Sequence, residues 1–425
     1  MHFIRPLYWT LITALVLPIS LQAAEWSAEP KISLRTGYND NIRLTSLPHD
    51  SVWETDLTPA VKFGVAKENQ GLFGNASASI RRFFGGSGRE SSSILDREDY
   101  HLSTDAYHNT QRNAFKANLN YTRDSTLDSE LDETGNVISN RATRDRFTLG
   151  PSWTTSLNEI TQLNLGYQYT TVSYSDDPGV KNLVGYDYDV FSSSLIRQFS
   201  PRLQGTLSAS YSRYEPDTGF NSDTTSIQAG LSRNFTETLV ASFLVGQRET
   251  TSDTLIATGY CILANPGASF PACTGGIAVP TGTKKDELDT SGSVYSANIT
   301  KTLETGYLRA TLSRASSPSS NGELLDRTQL ILSGEHKFTE KLRSTLRIQY
   351  ARNETIVNTL GRKTDQTDET FFRVSPKVSW RWQREWELDG EYQYAENEDR
   401  NSNTATRNAF YLTLSYRPTK LYVSR

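Results

Sequence analysis

Histidine is the side chain that most often serves as a catalytic base, and four histidines follow the first 24 residues of this 425-residue chain. They are His49, His101, His108 and His336. None lies in a Gly-x-Ser-x-Gly motif, and His101 and His108 have opposite parity in one alternating segment, so they point to opposite faces. This spacing does not predict an enzyme, and we assign no catalytic residue and no cofactor.

Acidic residues are concentrated in one polar segment, where their carboxylate oxygens could attract divalent cations. The set comprises Asp124, Asp128, Glu130, Asp132 and Glu133. Their spacing is not that of an EF-hand loop. We therefore interpret the segment as a solvated acidic loop and assign no metal ligand.

The only two cysteines, Cys261 and Cys273, lie in the segment 251–289. An exported chain with two nearby cysteines is expected to oxidise them to a disulfide. Two cysteines alone do not supply the four ligands of a structural zinc site. The segment is the longest one without strand-like alternation. We predict a disulfide-linked loop, and two alternatives stay open: it enters or caps a pore, or it lies on the surface.

Charged residues near the C-terminus recur at even spacings. The basic ones are Arg343, Arg347, Arg373, Lys377 and Arg381, and the acidic ones are Glu387, Asp389 and Glu391. In strands, such spacing puts a set on one face. Two interpretations are open: opposed basic and acidic walls that create a transverse field across a pore, or cross-strand pairs that neutralise one another.

The elements that position these charges are long hairpins, and the segment 327–350 is the clearest example. Leu330, Leu332 and Phe338 share one parity before a polar turn, and Leu346 and Ile348 share one parity after it. A period of two indicates strands with one apolar and one polar face. The turn recurs as Phe-x-x-x-Leu at 199–203, 235–239 and 338–342. Such repetition indicates an array of one supersecondary unit.

The whole chain after residue 24 divides into about 18 such strands, with 16 as the second choice. Short turns and long polar loops alternate strictly along it, and most strands span about 11–14 residues, enough to cross a bilayer when tilted. Aromatic residues concentrate near strand ends, as in the two girdles of membrane barrels. This pattern predicts an all-β, antiparallel up-and-down transmembrane β-barrel with short periplasmic turns, long extracellular loops and both termini periplasmic.

Residues 1–24 have a basic start, an apolar run from Leu7 to Leu21 and the small residues Ala23 and Ala24. This arrangement predicts a secretory signal peptide, with the barrel occupying residues 25–425. The charges nearly balance, at 44 basic against 48 acidic residues, which does not favour nucleic acid as a partner. The low mean hydropathy of −0.54 fits a barrel in which every second strand residue faces water.

The first strand after the signal region contains Tyr38-Asn39-Asp40-Asn41-Ile42. Together with the Phe-x-x-x-Leu turns, it resembles the opening of the outer-membrane β-barrel porins of the second BBP type, which are often associated with exopolysaccharide and PEP-CTERM loci. The resemblance implies a barrel and a role in polysaccharide export or the cell envelope of a Gram-negative bacterium. The C-terminus departs from the expected pattern, because the chain continues beyond the last clear strand. Either Phe410–Tyr416 is the assembly signal, or Leu421-Tyr422 belongs to the last strand.

We predict an outer-membrane porin-like channel for polar solutes or saccharide chains, because barrels of about 16–18 strands enclose an aqueous channel and no segment precedes the first strand that could form a plug. The expected partners are outer-membrane lipid, the barrel-assembly machinery and polysaccharide or periplasmic export proteins. The first alternative is a non-conducting scaffold barrel of an envelope secretion complex. The second is an outer-membrane barrel enzyme of lipase or protease type.

Overall fold

The structure, a computed structural model, describes residues 25–127, 129, 141–175, 183–262, 277–357, 369–399 and 403–424. The predicted signal peptide lies outside these ranges. The described residues form nineteen strands: β1 Glu25–Asn39, β2 Val52–Lys67, β3 Gln70–Phe84, β4 Arg97–Asn109, β5 Asn113–Ser125, β6 Thr143–Asn158, β7 Thr161–Tyr174, β8 Tyr186–Ser200, β9 Leu203–Pro216, β10 Asn221–Asn234, β11 Leu239–Ile262, β12 Ile277–Leu303, β13 Gly306–Pro318, β14 Leu324–Lys337, β15 Leu342–Val357, β16 Glu369–Trp380, β17 Trp386–Glu398, β18 Thr404–Tyr416 and β19 Leu421–Ser424.

Each of the strands β1 to β18 pairs antiparallel with its neighbours in sequence, and β1 pairs with β18 from Ile32↔Tyr416 to Asn39↔Ala409. This closes the sheet into a barrel of 18 strands, which confirms the predicted fold and strand number. Turns of two to five residues join the strands at one end. That end is periplasmic in barrels of this kind, and the long loops are extracellular.

Strand β19 continues the last strand after a break at Pro418. Its residues pair with the beginning of β1, from Ala28↔Leu421 to Glu25↔Ser424. Proline has no backbone N–H to donate to a ladder, which fits an interruption at this position. Leu421-Tyr422 therefore belongs to the final strand position, below β18. Strand β1 begins directly after the predicted signal peptide, because it pairs with β2 down to Glu25↔Ala66.

The prediction of a loop over residues 251–289 is wrong. Strands β11 and β12 run far beyond their neighbours and pair with each other up to Ile262↔Ile277. Strand β10 ends opposite Asp253, so the distal part of this hairpin has no strand beside β11. Cys261 lies near its tip and is disulfide-bonded. Cys273 lies outside the described residues, so the Cys261–Cys273 pairing stays a prediction.

The outer face of the barrel is apolar across its central band. Residues of outward parity are exposed, including Ile227, Phe243, Leu346 and Phe410 at 59%, 51%, 44% and 56%. Near the short turns, the Trp382 ring stacks on Trp386 with centroids 6.1 Å apart and lies tilted against Trp380 at 5.7 Å. A band of this kind, with aromatic residues at its edge, is the lipid-facing surface of a membrane barrel.

The extracellular edge of the apolar band is marked by outward tyrosines whose hydroxyls donate to carboxylates on the same or the next strand. We call this set the tyrosine row: Tyr121 to Asp145, Tyr167 to Asp189, Tyr169 to Asp187, Tyr211 to Asp223 and Tyr394 to Glu396. Charged groups on a lipid face are costly at midplane, so these carboxylates place the upper strand ends outside the bilayer.

Helical structure is minor in the described residues. A 3₁₀ turn at Gly88–Glu90 and a short helix α1 at Ser92–Leu95 lie in the loop between β3 and β4. No helix in the described ranges is long and apolar enough to cross a membrane.

Candidate functional site

The inner wall of β15–β18 brings several of the predicted charges together near the periplasmic end. Three guanidinium groups donate through Nη2 to one buried carboxylate, Glu387, from Arg343 at 3.2 Å, Arg381 at 3.2 Å and Arg417 at 3.3 Å. The Glu387 side chain is 6% exposed, and the three arginine side chains are 37–45% exposed. The carboxylate therefore organises three cations that remain in contact with water.

The neighbouring charges pair in a similar way. Lys377 Nζ lies 3.2 Å from Asp389 Oδ2, and Arg373 donates to Gln349 Oε1 at 3.0 Å. Glu391 accepts a 2.6 Å hydrogen bond from Gln393. Basic and acidic residues thus meet across adjacent strands, as the second interpretation of these charges requires, and they do not form separate opposed walls.

Arg347 differs from the other predicted charges. It is exposed on the inner face of β15, and within the described residues it forms no hydrogen bond or ion pair. Its register partner on β16 is Ser375, which brings no charge. Arg347 therefore presents its guanidinium to the lumen.

Sequence reasoning missed two members of the periplasmic group, Arg417 and Lys31. Tyr416 pairs with Ile32. Arg417, which follows Tyr416, and Lys31, which precedes Ile32, therefore meet on the inner face. Lys31 interacts electrostatically with Arg417, Lys377, Glu387 and Asp389. The alternating pattern of β18 already gave Arg417 inward parity, but only the register with β1 shows the convergence. We call the seven residues the Glu387 cluster: Lys31, Arg343, Lys377, Arg381, Glu387, Asp389 and Arg417.

The wall opposite carries no charge on its inner face. In a ring of 18 strands, β8 lies across from β17, and the even-numbered residues of β7–β10 face inward from Gln162 to Ser232. All of them are uncharged, and most carry hydroxyl or amide groups. A recess of about 300 Å³ in this wall is lined mainly by Ser152, Asn164, Ser192, Ser194, Ser208, Ser210, Ser226 and Gln228. The sequence signal of this wall is the run of serines at alternate positions in β8, β9 and β10.

The extracellular mouth is narrowed because the upper parts of β13–β15 bend into the barrel. Strand β12 pairs with β13 only from Tyr295 to Leu303 and separates from it above. Asp326 has the outward parity of Leu330, yet it is buried and contacts Arg248 from the inner face of β11. The upper end of β14 therefore lies inside β11.

Apolar packing and a strand-like hydrogen bond hold this inward position. Tyr214 and Phe220 of the β9–β10 wall form a buried cluster with Leu324 and Ile356 of β14 and β15. Val184, in the loop before β8, donates its backbone N–H to Ser320 O at 2.8 Å. The extracellular half of this side is thus a two-layered structure.

The loop 40–51 fills another part of the mouth, and the Asn39-Asp40-Asn41 motif anchors it. Asn41 Nδ2 donates to Thr45 O and to Thr406 O, both at 2.9 Å. Asp40 accepts from the backbone N–H of Asn408 at 2.6 Å and from its side chain at 2.9 Å. The motif therefore turns the chain inward and fixes the loop to β18.

Beyond the motif, the loop 40–51 packs on the inner faces of two strand groups. Leu44 joins a cluster with Ala351, Phe371, Ala395 and Ala405, and Ile42 joins one with Val52, Phe83, Leu95 and Leu127. Leu44 has a φ of 46°, a strained conformation for a branched side chain that persists because the residue is 2% exposed. Arg43 and Glu90 add an ion pair of 3.1 Å between this loop and the next.

The histidines do not form a catalytic arrangement within the described residues. The imidazole Nδ1 of His101 lies 3.2 Å from Thr122 Oγ1, and the Nδ1 of His336 lies 3.1 Å from Thr305 Oγ1. His108 faces outward and stacks on Phe115, and His49 contacts a backbone carbonyl. No hydrogen bond joins any of them to a carboxylate in this part of the chain. The described ranges also contain no group of three His, Cys, Asp or Glu residues arranged for a metal ion.

Comparison with known proteins gives structural likeness only. No protein-family model matches the chain, and no curated protein matches it. Solved structures that it resembles include the outer membrane protein OpdK from Pseudomonas aeruginosa, at 10% identity and a TM-score of 0.41, covering 93% of this chain and 99% of OpdK. OccK9 (OpdG) from the same organism is 12% identical with a TM-score of 0.44, and the match covers 94% of this chain and 98% of OccK9. The ferric-catecholate import receptor Fiu from E. coli K12 is 10% identical with a TM-score of 0.46, and the match covers 92% of this chain and 81% of Fiu.

The similarity values are low, so the strand pairing of the chain itself identifies the fold. Only helices and closed barrels satisfy all backbone hydrogen bonds in lipid, and this sheet is closed, with an apolar outer band between aromatic edges. The protein is a closed 18-stranded antiparallel β-barrel with the lipid-facing surface of a membrane protein.

Proposed function

We propose that the protein is a porin-like channel that passes polar solutes through a hydrated lumen. One observation carries this proposal: an 18-stranded ring has an inner wall of hydroxyl and amide side chains at mid-height, and the buried apolar clusters of the described residues lie at the extracellular ends of the strands. Serine and glutamine side chains on such a wall exchange hydrogen bonds with a passing solute at little desolvation cost. The inward loop 40–51 and the bent β13–β15 make the extracellular mouth the narrowest part of the path.

The solute class that fits the uncharged wall best is a saccharide chain, because its hydroxyls match the serine and amide groups of the recess on β7–β10. The resemblance to porins of exopolysaccharide loci points the same way. We therefore propose a place in polysaccharide export, with periplasmic export proteins as partners at the short-turn end. Insertion would depend on the barrel-assembly machinery acting on the final strand position, β18 with β19.

The packed extracellular mouth favours a second function, a non-conducting scaffold barrel of an envelope complex. The clusters around Leu44 and Tyr214 bury apolar side chains inside the barrel, which is what a permanently closed mouth requires. In that case the activity would reside in contacts with periplasmic partners.

Single-channel recording of the refolded protein in a planar bilayer separates the two functions. Regular current steps, reduced when a neutral oligosaccharide such as maltohexaose is added, support the channel and its saccharide path. A folded barrel, shown by its heat-dependent mobility on gels, that gives no current contradicts the channel. The matched control is Ser210→Leu in the inner-wall recess against Ile227→Leu on the outer face, because only the first change should weaken the block by saccharide.

A further inference from the structure

The Glu387 cluster has more positive charge than its own pairing requires. Its cationic members come from β1, β15 and β16, from the turn between β16 and β17 (Arg381), and from the residue after β18 (Arg417). Five cationic groups surround the two carboxylates of Glu387 and Asp389, which leaves a net charge of +3 at the periplasmic end of the lumen. A structural ion-pair network needs no such excess, because unpaired charge repels its neighbours.

The guanidinium groups also retain unused donors. Each of Arg343, Arg381 and Arg417 contacts Glu387 through Nη2 alone, and the described residues offer these three side chains no other hydrogen bond. A guanidinium has five N–H donors in a planar fork that matches carboxylate and phosphate groups. With more than a third of each side chain exposed, the remaining donors face the water of the lumen.

The position of the cluster gives it a role in passage. All of its members lie on the inner face within a few residues of the short turns, as the pairs Arg343↔Ser379 and Ser379↔Asp389 show. Glu387 is buried beneath the arginines and holds them in place, so the cationic groups are already arranged before a ligand arrives. A preorganised group of cations at a pore opening raises the local concentration of anions and speeds their entry.

We propose that the Glu387 cluster is a binding site for oxyanion-bearing solutes at the periplasmic opening of the channel, and that carboxylate-bearing saccharides are the class it takes. The uncharged wall across the lumen would contact the hydroxyls of such a molecule, while the arginines bind its carboxylates. This inference rests on the proposed channel function for its role in transport, but the site itself can be tested without any current.

The first test is ion selectivity and block of the whole protein in a planar bilayer. Under a KCl gradient the reversal potential should show selectivity for chloride, and trigalacturonate added to the periplasmic side should interrupt the current at lower concentration than neutral maltotriose. The Arg381→Gln/Arg417→Gln variant should lose chloride selectivity and weaken the trigalacturonate block by about tenfold or more, since a hydrogen bond to a charged group contributes roughly one to two powers of ten in affinity. Arg213→Gln, which removes an outward arginine paired with Glu215 at the extracellular end, should change neither quantity.

The second test is binding of trigalacturonate to the folded barrel in detergent, measured by calorimetry with maltotriose and inorganic phosphate as comparisons. Binding of trigalacturonate that the double variant reduces supports the site even for a barrel that gives no current, so failure of the channel and failure of the site are distinguishable. Equal block and binding by trigalacturonate and maltotriose, or an effect of Arg213→Gln equal to that of the double variant, would overturn the proposal. Tighter binding of phosphate than of trigalacturonate would also overturn it, because the saccharide would then not be the preferred ligand.

Discussion

Arg248 on β11 donates two hydrogen bonds to Asp326 on β14, from Nε to Oδ1 at 2.9 Å and from Nη2 to Oδ2 at 2.6 Å, although two strands separate them in the barrel. Both side chains are less than a tenth exposed. Arg314 adds a third contact to the same carboxylate at 3.1 Å. This bidentate pair joins the upper part of β14 to the inner face of β11, and we expect it to hold the extracellular mouth narrow.

Replacing Asp326 with Asn should release this part of β14, because the change leaves Arg248 buried without a countercharge. Removing one partner of a buried pair costs about 3–5 kcal/mol. We expect faster proteolysis of the loop 319–323 and larger single-channel conductance, measured on the refolded variant. Asp145→Asn is the matched control, since its 3.8 Å pair with Arg123 is exposed and should contribute little. Unchanged conductance together with unchanged proteolysis would show that the pair does not hold the mouth.

The mouth should also respond to pH through Glu369, which lies three residues beyond the first lipid-facing residue of β16, Phe372, and outside the membrane-spanning part of that strand. Burial raises the pKa of the Glu369 carboxyl to about 7, with added repulsion from Glu323 and Asp399. Burial also raises the pKa of Glu323. These are the acidic groups that face Glu369 among the described residues.

Since the raised pKa favours the protonated folded form, Glu369 leaves the packing of the mouth unaffected below about pH 4.5. The stability of the packed mouth then falls as the pH rises from about 4.5 to about 7, by on the order of 3 kcal/mol. We expect the amide protection of residues 369–372 and 319–323, measured as the exchange rate relative to the intrinsic rate at each pH, to fall between pH 5 and pH 8. Glu369→Gln should abolish this dependence. The same pH response in the Gln variant would assign it to another group.

The contact between the first and last strands depends on a glycine. The Tyr411 ring of β18 lies over Gly37 of β1, and a Cβ at position 37 would come within 2.2 Å of the ring and 2.9 Å of Phe410 O. The Arg35 guanidinium stacks 3.6 Å from the centroid of the same ring. Gly37→Val should therefore reduce the folded fraction, by about 1–3 kcal/mol of overpacking. Heat-dependent gel mobility after refolding measures that fraction. Gly390→Val provides the control, because nothing lies within 4 Å of its Cβ position.

Reduction of the disulfide should leave the conductance unchanged. Cys261 pairs with Ala278 near the tip of the β11–β12 hairpin, eleven residues beyond Thr250, or about 35 Å along an extended strand. We therefore expect the disulfide to lie outside the lumen, as the surface alternative for this segment predicts. Recording the current before and after addition of a thiol reductant tests this expectation, with Cys261→Ser as the second arm. A change in conductance on reduction would show that the tip of the hairpin lies in or over the channel.

The strands and turns could be predicted because their signal is local: Leu163, Leu165 and Tyr167 alternate with polar residues, and Phe338 and Leu342 bracket a short turn. The extension of β11 and β12 could not. The extension lies beyond the end of the β10–β11 ladder, and its strand character depends on pairing between β11 and β12, which no alternation in the sequence reveals. The inward bend of β14 left one trace, the adjacent Leu324 and Leu325, which are both buried because that part of the strand is covered on both sides.

The candidate site shows the same division between local and distant information. Arg343, Arg381 and Glu387 were assigned to the inner face from parity alone, and they lie together in the structure. Their convergence on one carboxylate depends on the register of β15 against β16 and of β16 against β17. The entry of Lys31 depends on pairing between strands almost 400 residues apart in sequence. No local pattern encodes such a register.

The closure of β1 on β18 also has a consequence for the order of events in assembly. The hydrogen bond from Asn41 to Thr406 joins residues 365 positions apart, and the ladder beside it cannot form until the final strand is available. Contacts of such large sequence separation form slowly, since a long loop must close before they contribute. Until then both terminal strands expose unpaired edges that could pair with other chains. The two edges that are the last to pair are therefore also the surfaces of the unfinished barrel that most need to be kept from other chains.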